Sequence, residues 1–258
     1  MKVQVCVPSY KRPKVETLDY LPFARVYVDN KEYDEYVKAN PKGSDIVAVP
    51  DGVQGNVARI RNYILNTEFE SGTDVVCIID DDMRKVCYWE GRKRVMLKAE
   101  EWEPFLQKYS LMCKELGAFL WGMNITPESQ VYREYAPFST LSPVLGPFSC
   151  HIRDGGLRYD EDIPLKEDYD FSIQHLNKYR KVFRVNKFYY VVRQSAQSGG
   201  CAMMRNLEVE KKQLEALQKK WGTKIVTNDT SDRAHLKRKK GENFIDYNPI
   251  IRIPIKGI

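Results

Sequence analysis

Residues 75–83, Val-Val-Cys-Ile-Ile-Asp-Asp-Asp-Met, constrain this chain more than any other stretch. Five apolar residues in a row, rich in β-branched side chains, read as a strand buried on both faces. Three carboxylates then arrive together at its C-terminal end, and ligands of open α/β sheets bind just outside the C-terminal ends of strands. Adjacent aspartates repel one another, so the cluster costs free energy unless a cation or strong donors offset it. A hard divalent cation with oxygen ligands, Mg²⁺ or Mn²⁺, itself holding a diphosphate, fits that need. A solvated acidic turn after a core strand fits the same residues.

The chain of 258 residues is long enough to bury a full core, as one large domain or one and a half. No run approaches the roughly 18 apolar residues of a membrane span. The opening Met-Lys-Val-Gln-Val-Cys-Val-Pro reads as a first strand rather than a signal peptide. The expectation is an intracellular, cytoplasmic protein with no membrane partner. Six cysteines (6, 77, 87, 113, 150 and 201) form no CxxC pair, and several lie in apolar runs. They read as buried thiols of a reducing compartment, not a disulfide frame or a zinc site. A net charge of +6 is compatible with a polyanionic partner without requiring one.

Strands are expected at Val3–Val7, Arg25–Asp29 and Asp45–Pro50, with helices over Glu32–Ala39 and Asn56–Asn66. This alternation argues for a mostly parallel sheet. The first strand ends in Pro8-Ser9-Tyr10-Lys11-Arg12-Pro13, where prolines stop regular structure. Stacking from Tyr10 and charge from Lys11 and Arg12 could hold a base and a diphosphate, or the residues could form a plain surface loop. On the following helix Arg59 and Asn62 share a face while Arg61 points elsewhere, so one arginine faces a site and the other solvent. Neither GxxxxGK[ST] nor GxGxxG is present, which argues against an ATP or dinucleotide cradle.

Farther on, Glu90–Arg94 reads as a hairpin tip, Glu100–Leu116 as an amphipathic helix and Ala118–Met123 as a buried strand. Residues 133–147 read as a loop near the site, and Val144–Ile152 as a return to strand. A helix follows Pro164, with Phe171, Ile173, Leu176 and Tyr179 on its apolar side and Glu167, Asp168 and Asp170 in its first turn. The macrodipole favours acids there, so simple capping accounts for them as well as chemistry does. Val182–Arg193 reads as strand, loop, strand. In the next loop Gly199-Gly200 either brings backbone N–H groups to a phosphate or sugar or merely connects. Leu207–Trp221 is a helix, residues 231–240 are the most basic stretch, and Ile250–Ile255 is an edge strand or docked tail. Of three histidines, His175 reads as structural.

Taken together, Pro8–Arg12, the Gly55–Asn62 helix start and Ile78-Ile79-Asp80-Asp81-Asp82 resemble a GT-A glycosyltransferase. That resemblance implies an α/β GT-A (Rossmann-like) fold, a mixed, mostly parallel sheet flanked by helices in a single domain. Residues 1–100 would form the nucleotide-sugar half, 101–230 the acceptor half and 231–258 a basic segment. It implies that the aspartates are the DxD motif of that family, binding Mn²⁺ or Mg²⁺ and the diphosphate of a UDP-sugar. Asp80 would lie near the ribose or sugar and Asp82 on the metal, with the register among Asp80, Asp81 and Asp82 open and His235 as a third ligand. Pro8, Ser9, Tyr10, Arg12, Arg59, Asn62, Asp80, Asp81, Gly199 and Gly200 would line the donor. By the same resemblance the enzyme inverts the sugar, Asp168 is the general base and Glu167 supports the acceptor or sugar. The chain is most similar to the phage TET-associated glycosyltransferases, which implies 5-hydroxymethylcytosine in double-stranded DNA as acceptor and the host cytoplasm as location. A glycan or protein acceptor, and a non-catalytic nucleic-acid-binding module, are the rivals; a two-metal nucleotidyltransferase fits the Glu167–Asp168 helix start less well.

Overall fold

The computed structural model describes residues 1–91, 93–125, 132–192, 206–229 and 247–254. In chain order these are β1 (Val3–Pro8), α1 (Thr17–Tyr20), β2 (Arg25–Asp29), α2 (Tyr33–Ala39), β3 (Ile46–Val49), α3 (Val57–Glu70), β4 (Val75–Ile79), β5 (Met83–Glu90) and β6 (Lys93–Met96). There follow α4 (Trp102–Glu115), β7 (Leu120–Asn124), β8 (Phe138–Ser139), β9 (Phe148–Ile152), α5 (Glu167–Tyr179), β10 (Phe183–Val192), α6 (Leu207–Trp221), β11 (Val226–Asn228) and β12 (Pro249–Ile251).

A ten-stranded sheet runs β3-β2-β1-β4-β9-β7-β10-β5-β6, with β8 beside β10. β3, β2, β1 and β4 are mutually parallel, and β7 and β10 are parallel to each other. β9 lies antiparallel between β4 and β7, so those two strands point the same way across it. The sheet is therefore mixed, with most strands in one direction. All five β4 residues are buried. Val75, Cys77 and Ile79 pack into a cluster with Trp102, Phe105 and Leu106 of α4, while Val76 and Ile78 pack with Ile60 and Ile64 of α3 and Phe171 of α5. Period-two alternation of one strand thus feeds helical layers on both faces.

Helix α3 opens where Asn56 caps it, its side chain accepting from the Ala58 and Arg59 N–H groups. It runs to Glu70, past the expected end at Asn66, because its last turn is anchored. Buried Glu68 accepts from Arg25 and Thr73 at 2.8 and 3.2 Å and from the Tyr27 hydroxyl at 2.5 Å.

Three expectations need correction. Val182–Arg193 is not strand, loop, strand: β10 is continuous, and its register against β7 slips between Val185 and Tyr189, so its first part pairs with β7 and its second with β5. Strand character begins at Phe148, not Val144, because both backbone groups of Val144 are taken by a side chain: Ser172 Oγ accepts from the Val144 N–H and donates to its carbonyl. The expected helix at Glu32 begins at Tyr33, after a 3₁₀ turn at Asn30–Glu32. The five described cysteines are buried and unpaired. Among the described residues no helix is long and apolar enough to cross a membrane.

Candidate functional site

Strand direction brings the ends of β1 and β4 and the start of β9 to one sheet edge. The turn after β4 is pinned from below by Thr17, whose hydroxyl donates to the Asp80 carbonyl (2.7 Å) and accepts from the Met83 N–H (3.0 Å). Its N–H donates to the Asp81 carbonyl at 3.1 Å. Held this way, the three aspartates face three different environments.

Asp81 turns inward. It accepts from Ser9 Oγ at 2.5 Å and is paired with the Arg12 guanidinium. Burial pushes its carboxyl up to about 6, against the pull of Arg12 and Ser9. Ser9 also bonds the Tyr36 hydroxyl at 2.9 Å, and the Gln54 amide donates to the Ser9 carbonyl at 3.1 Å, so the Pro8–Arg12 loop is tied down on both sides. Tyr10 is half-buried, with Lys11 Nζ 5.1 Å from its ring centre. Asp82 remains partly open, and among the described residues its one ion-pair contact is Arg12 at 3.8 Å. Burial, with Asp80 and Asp81 behind it, pushes Asp82 up to about 6. Asp80 is the most open, its side chain 39% exposed.

The second acidic group reaches the same place. Arg61 is 3% exposed and forks between the two groups: one nitrogen lies 3.1 Å from Asp80, the other 2.9 Å from Glu167. Burial works against its charge, but Glu167, Tyr159, Asp80 and Asp168 hold the guanidinium charged. Burial pushes Glu167 up to about 8, with Arg61 opposing and Asp168 and Asp80 adding to the rise. A second link runs through the backbone. The Asp80 N–H donates to the Pro147 carbonyl at 3.0 Å, and the Gly146 N–H donates to Asp168 Oδ2 at 2.8 Å. Asp168 Oδ1 accepts from the Tyr169 N–H at 2.8 Å, so two backbone donors fix the plane of this carboxylate. Tyr190 closes the wall. Burial and then the charges of Asp168 and Asp80 push its phenol well above its ordinary value, and its hydroxyl stands over Gly146.

Of the residues expected here, Pro8, Ser9, Tyr10, Arg12, Asp80, Asp81, Asp82, Glu167 and Asp168 gather at this edge. Arg59 and Asn62 are engaged elsewhere. Arg59 bonds Glu161 at 2.9 Å and the Gly52 carbonyl at 2.7 Å, and Asn62 clamps the Tyr159 backbone at 2.8 and 2.9 Å. Of the arginines on this helix, Arg61 is the one that reaches the aspartates. Its spacing with Ile64, Leu65 and Glu68, all buried on α3, is a stripe that could have been read from the sequence. Thr17, Gln54, Gly146 and Tyr190 carried no comparable signal. Gly199, Gly200 and His235 lie outside the described residues. Among the described residues no group of three or more His, Cys, Asp or Glu side chains is arranged to hold a metal ion. The pair Asp80 and Asp82 nevertheless fits a hard divalent cation that keeps most of its coordination for phosphate and water, since both are partly open carboxylates and Asp82 has a distant cation partner.

A family model described as TET-Associated Glycosyltransferase matches residues 19–201. No curated protein matches the sequence. Among solved structures, glucosyl-3-phosphoglycerate synthase from Mycobacterium tuberculosis, in complex with Mn²⁺, UDP-glucose and phosphoglyceric acid, is 13% identical, with a TM-score of 0.52 over 89% of this chain and 84% of that one. S. aureus TarS is 16% identical, with a TM-score of 0.50 over 84% of this chain and 40% of that one. A shorter TarS structure, residues 1–349, is 18% identical, with a TM-score of 0.48 over 74% of this chain. The chain spans 59% of that shorter structure. At these identities the likeness to the first two speaks for the fold alone.

Proposed function

The chain belongs to the TET-associated glycosyltransferase family and has the GT-A fold, and on that premise we propose that it transfers a sugar from a UDP-sugar to 5-hydroxymethylcytosine in double-stranded DNA, with inversion at the anomeric carbon. The observation that carries the reading is the Arg61 fork, which keeps the DDD turn and the Glu167–Asp168 pair within one guanidinium of each other. A donor at one and an acceptor at the other would share a single reaction centre.

In this reading the Pro8–Arg12 loop and the DDD turn cradle the nucleoside diphosphate. Tyr10 offers a ring to the base, and Asp80 and Asp82 would hold Mn²⁺ or Mg²⁺. The ion, when bound, draws charge off the leaving diphosphate. The donor class gains support from the M. tuberculosis structure, which holds Mn²⁺ and UDP-glucose in a related fold. Arg61 adds fixed positive charge beside Asp80. Asp168, its plane set by two backbone N–H groups, accepts the proton of the acceptor hydroxyl. The hydroxyl oxygen bonds to the anomeric carbon as the bond from that carbon to the diphosphate oxygen breaks, and UDP leaves with the electron pair. A base flipped from the duplex is one way to deliver the hydroxyl.

The test incubates the protein with a panel of UDP-sugars, Mn²⁺ or Mg²⁺ and hydroxymethylated duplex DNA, and weighs the nucleosides by mass spectrometry. One hexose or pentose increment on hydroxymethylcytosine is expected. Asp168→Asn should lower turnover by about 10²–10⁴-fold while UDP-sugar binding, read by calorimetry, persists. Transfer to a free glycan or a protein with none to DNA would replace the acceptor, and turnover retained by Asp168→Asn would remove Asp168 as the base.

A further inference from the structure

We propose that the β5–β6 hairpin is a docking surface for the sugar–phosphate backbone of a nucleic acid; the inference rests on the DNA-acceptor reading and names the face that meets the DNA. Residues 83–98 carry six cations (Arg84, Lys85, Arg92, Lys93, Arg94 and Lys98) against one acid, Glu90. The local balance is +5 over sixteen residues.

Among the described residues few of its cations meet an acid, whereas the cations at and beside the site are neutralised within the protein: Arg12 by Asp81, Arg61 by Asp80 and Glu167, Lys166 by Glu210. On the hairpin Arg84 reaches Glu16 at 2.9 Å, but Lys85, Lys93 and Arg94 meet no carboxylate among the described residues. Lys93 and Arg94 are exposed. A concentration of uncompensated positive charge on one sheet edge is what a polyanion answers, through release of its condensed counterions.

Aromatic rings single out nucleic acid among polyanions. Tyr88 and Trp89 are half-buried on opposite faces of β5. The Arg94 guanidinium lies 5.6 Å from the Tyr189 ring, which in turn sits 5.7 Å from Trp89, and Lys187 lies 5.2 Å from the Tyr88 ring. Tyr189 is buried, so the half-exposed rings of Tyr88 and Trp89 are the ones that, beside these cations, could meet an unpaired base next to a bound phosphate. The placement suits the chemistry. β5 starts at Met83, directly after the DDD turn, and pairs with β10 so that Val86 lies opposite Tyr190, the residue facing Asp168. Trp89 is six residues along, about 20 Å at strand spacing, well within one turn of a duplex, about 34 Å. Lysines on an edge strand also discourage strands of other molecules from pairing with it. That role needs no phosphate, so the test reads DNA directly.

Fluorescence anisotropy of the full chain with hydroxymethylated duplex DNA, over a series of salt concentrations, gives the slope of log K against log salt. For the pair Lys93→Ala and Arg94→Ala the slope should shrink by about two, at roughly 0.9 for each phosphate no longer neutralised. The remote pair Lys211→Ala and Lys212→Ala on α6 removes the same charge and should leave the slope near the wild-type value. Unfolding temperatures of both variants check that the fold survives. If the two pairs weaken binding equally, only net charge matters and the surface is overturned. Heparin competing as well as DNA of equal charge would overturn the nucleic-acid assignment. If the wild type glycosylates DNA and the hairpin variant keeps its full slope, the surface falls and the acceptor reading stands. Absence of DNA binding by the wild type removes both.

Discussion

Arg61 is the residue whose identity matters most to this arrangement, because it is nearly sealed from water and faces two acids at once. Its neighbour Glu167 gives a test by pH. In the unfolded chain a glutamate ionises near about 4.3, whereas burial holds folded Glu167 up to about 8. Between those values the folded protein keeps a proton that the unfolded chain has released. The contribution of Glu167 is therefore complete below the lower value and is lost as pH rises through the upper one. Arg61, Asp168, Asp80 and Tyr159 are the charged and titratable groups that act on Arg61 or Glu167 here. Glu167→Gln should leave the unfolding temperature nearly unchanged at pH 5 and raise it relative to wild type by on the order of 5 °C at pH 8. A difference that stays flat across that range would mean that Glu167 is ionised throughout.

Two elements position the acids, and each can be tested. The first is the Leu145–Pro147 turn. Gly146 has φ +76, and a Cβ there would run into the Tyr190 hydroxyl. Gly146→Ala combines left-handed strain of about 1–3 kcal/mol with displacement of Tyr190 or of the N–H that holds Asp168. Turnover should fall at least tenfold with UDP-sugar binding intact. Adding Tyr190→Phe removes the colliding hydroxyl and should restore part of the activity; a double variant no better than Gly146→Ala would contradict the geometry. The second element is α6, which clamps the start of α5. Lys166 bonds Glu210 at 2.5 Å, and Asp170 accepts from Trp221 at 2.7 Å and Lys220 at 2.9 Å, one pair on either side of Glu167–Asp168. Glu210→Ala strands a buried ammonium and should cost about 3–5 kcal/mol in denaturant unfolding, while Lys166→Met with Glu210→Leu should cost far less. Equal losses would mean that the pair stabilises by its charge alone.

At the scale of the whole molecule, what could be read from the sequence was whatever a short window encodes. The five apolar residues of β4 announced a strand with helices on both faces, Asn56 announced a helix start, and the DDD run announced a concentration of charge. The crossing of β9 between β4 and β7, the slip in β10 and the long reach of α3 depend on partners tens of residues away, which no local period records. The site divides the same way. Both acidic groups are visible in the sequence, but which arginine joins them stays open between Arg59 and Arg61, because helical spacing serves either; Glu161 and the Tyr159 backbone, far away in sequence, engage Arg59 and Asn62.

The turn that gives one backbone group to Asp80 and the next to Asp168 also sets a limit on recombination. A chimera cut between positions 100 and 140 would bring a cousin's mortise to this chain's aspartate tenon and so inherit a mismatched joint.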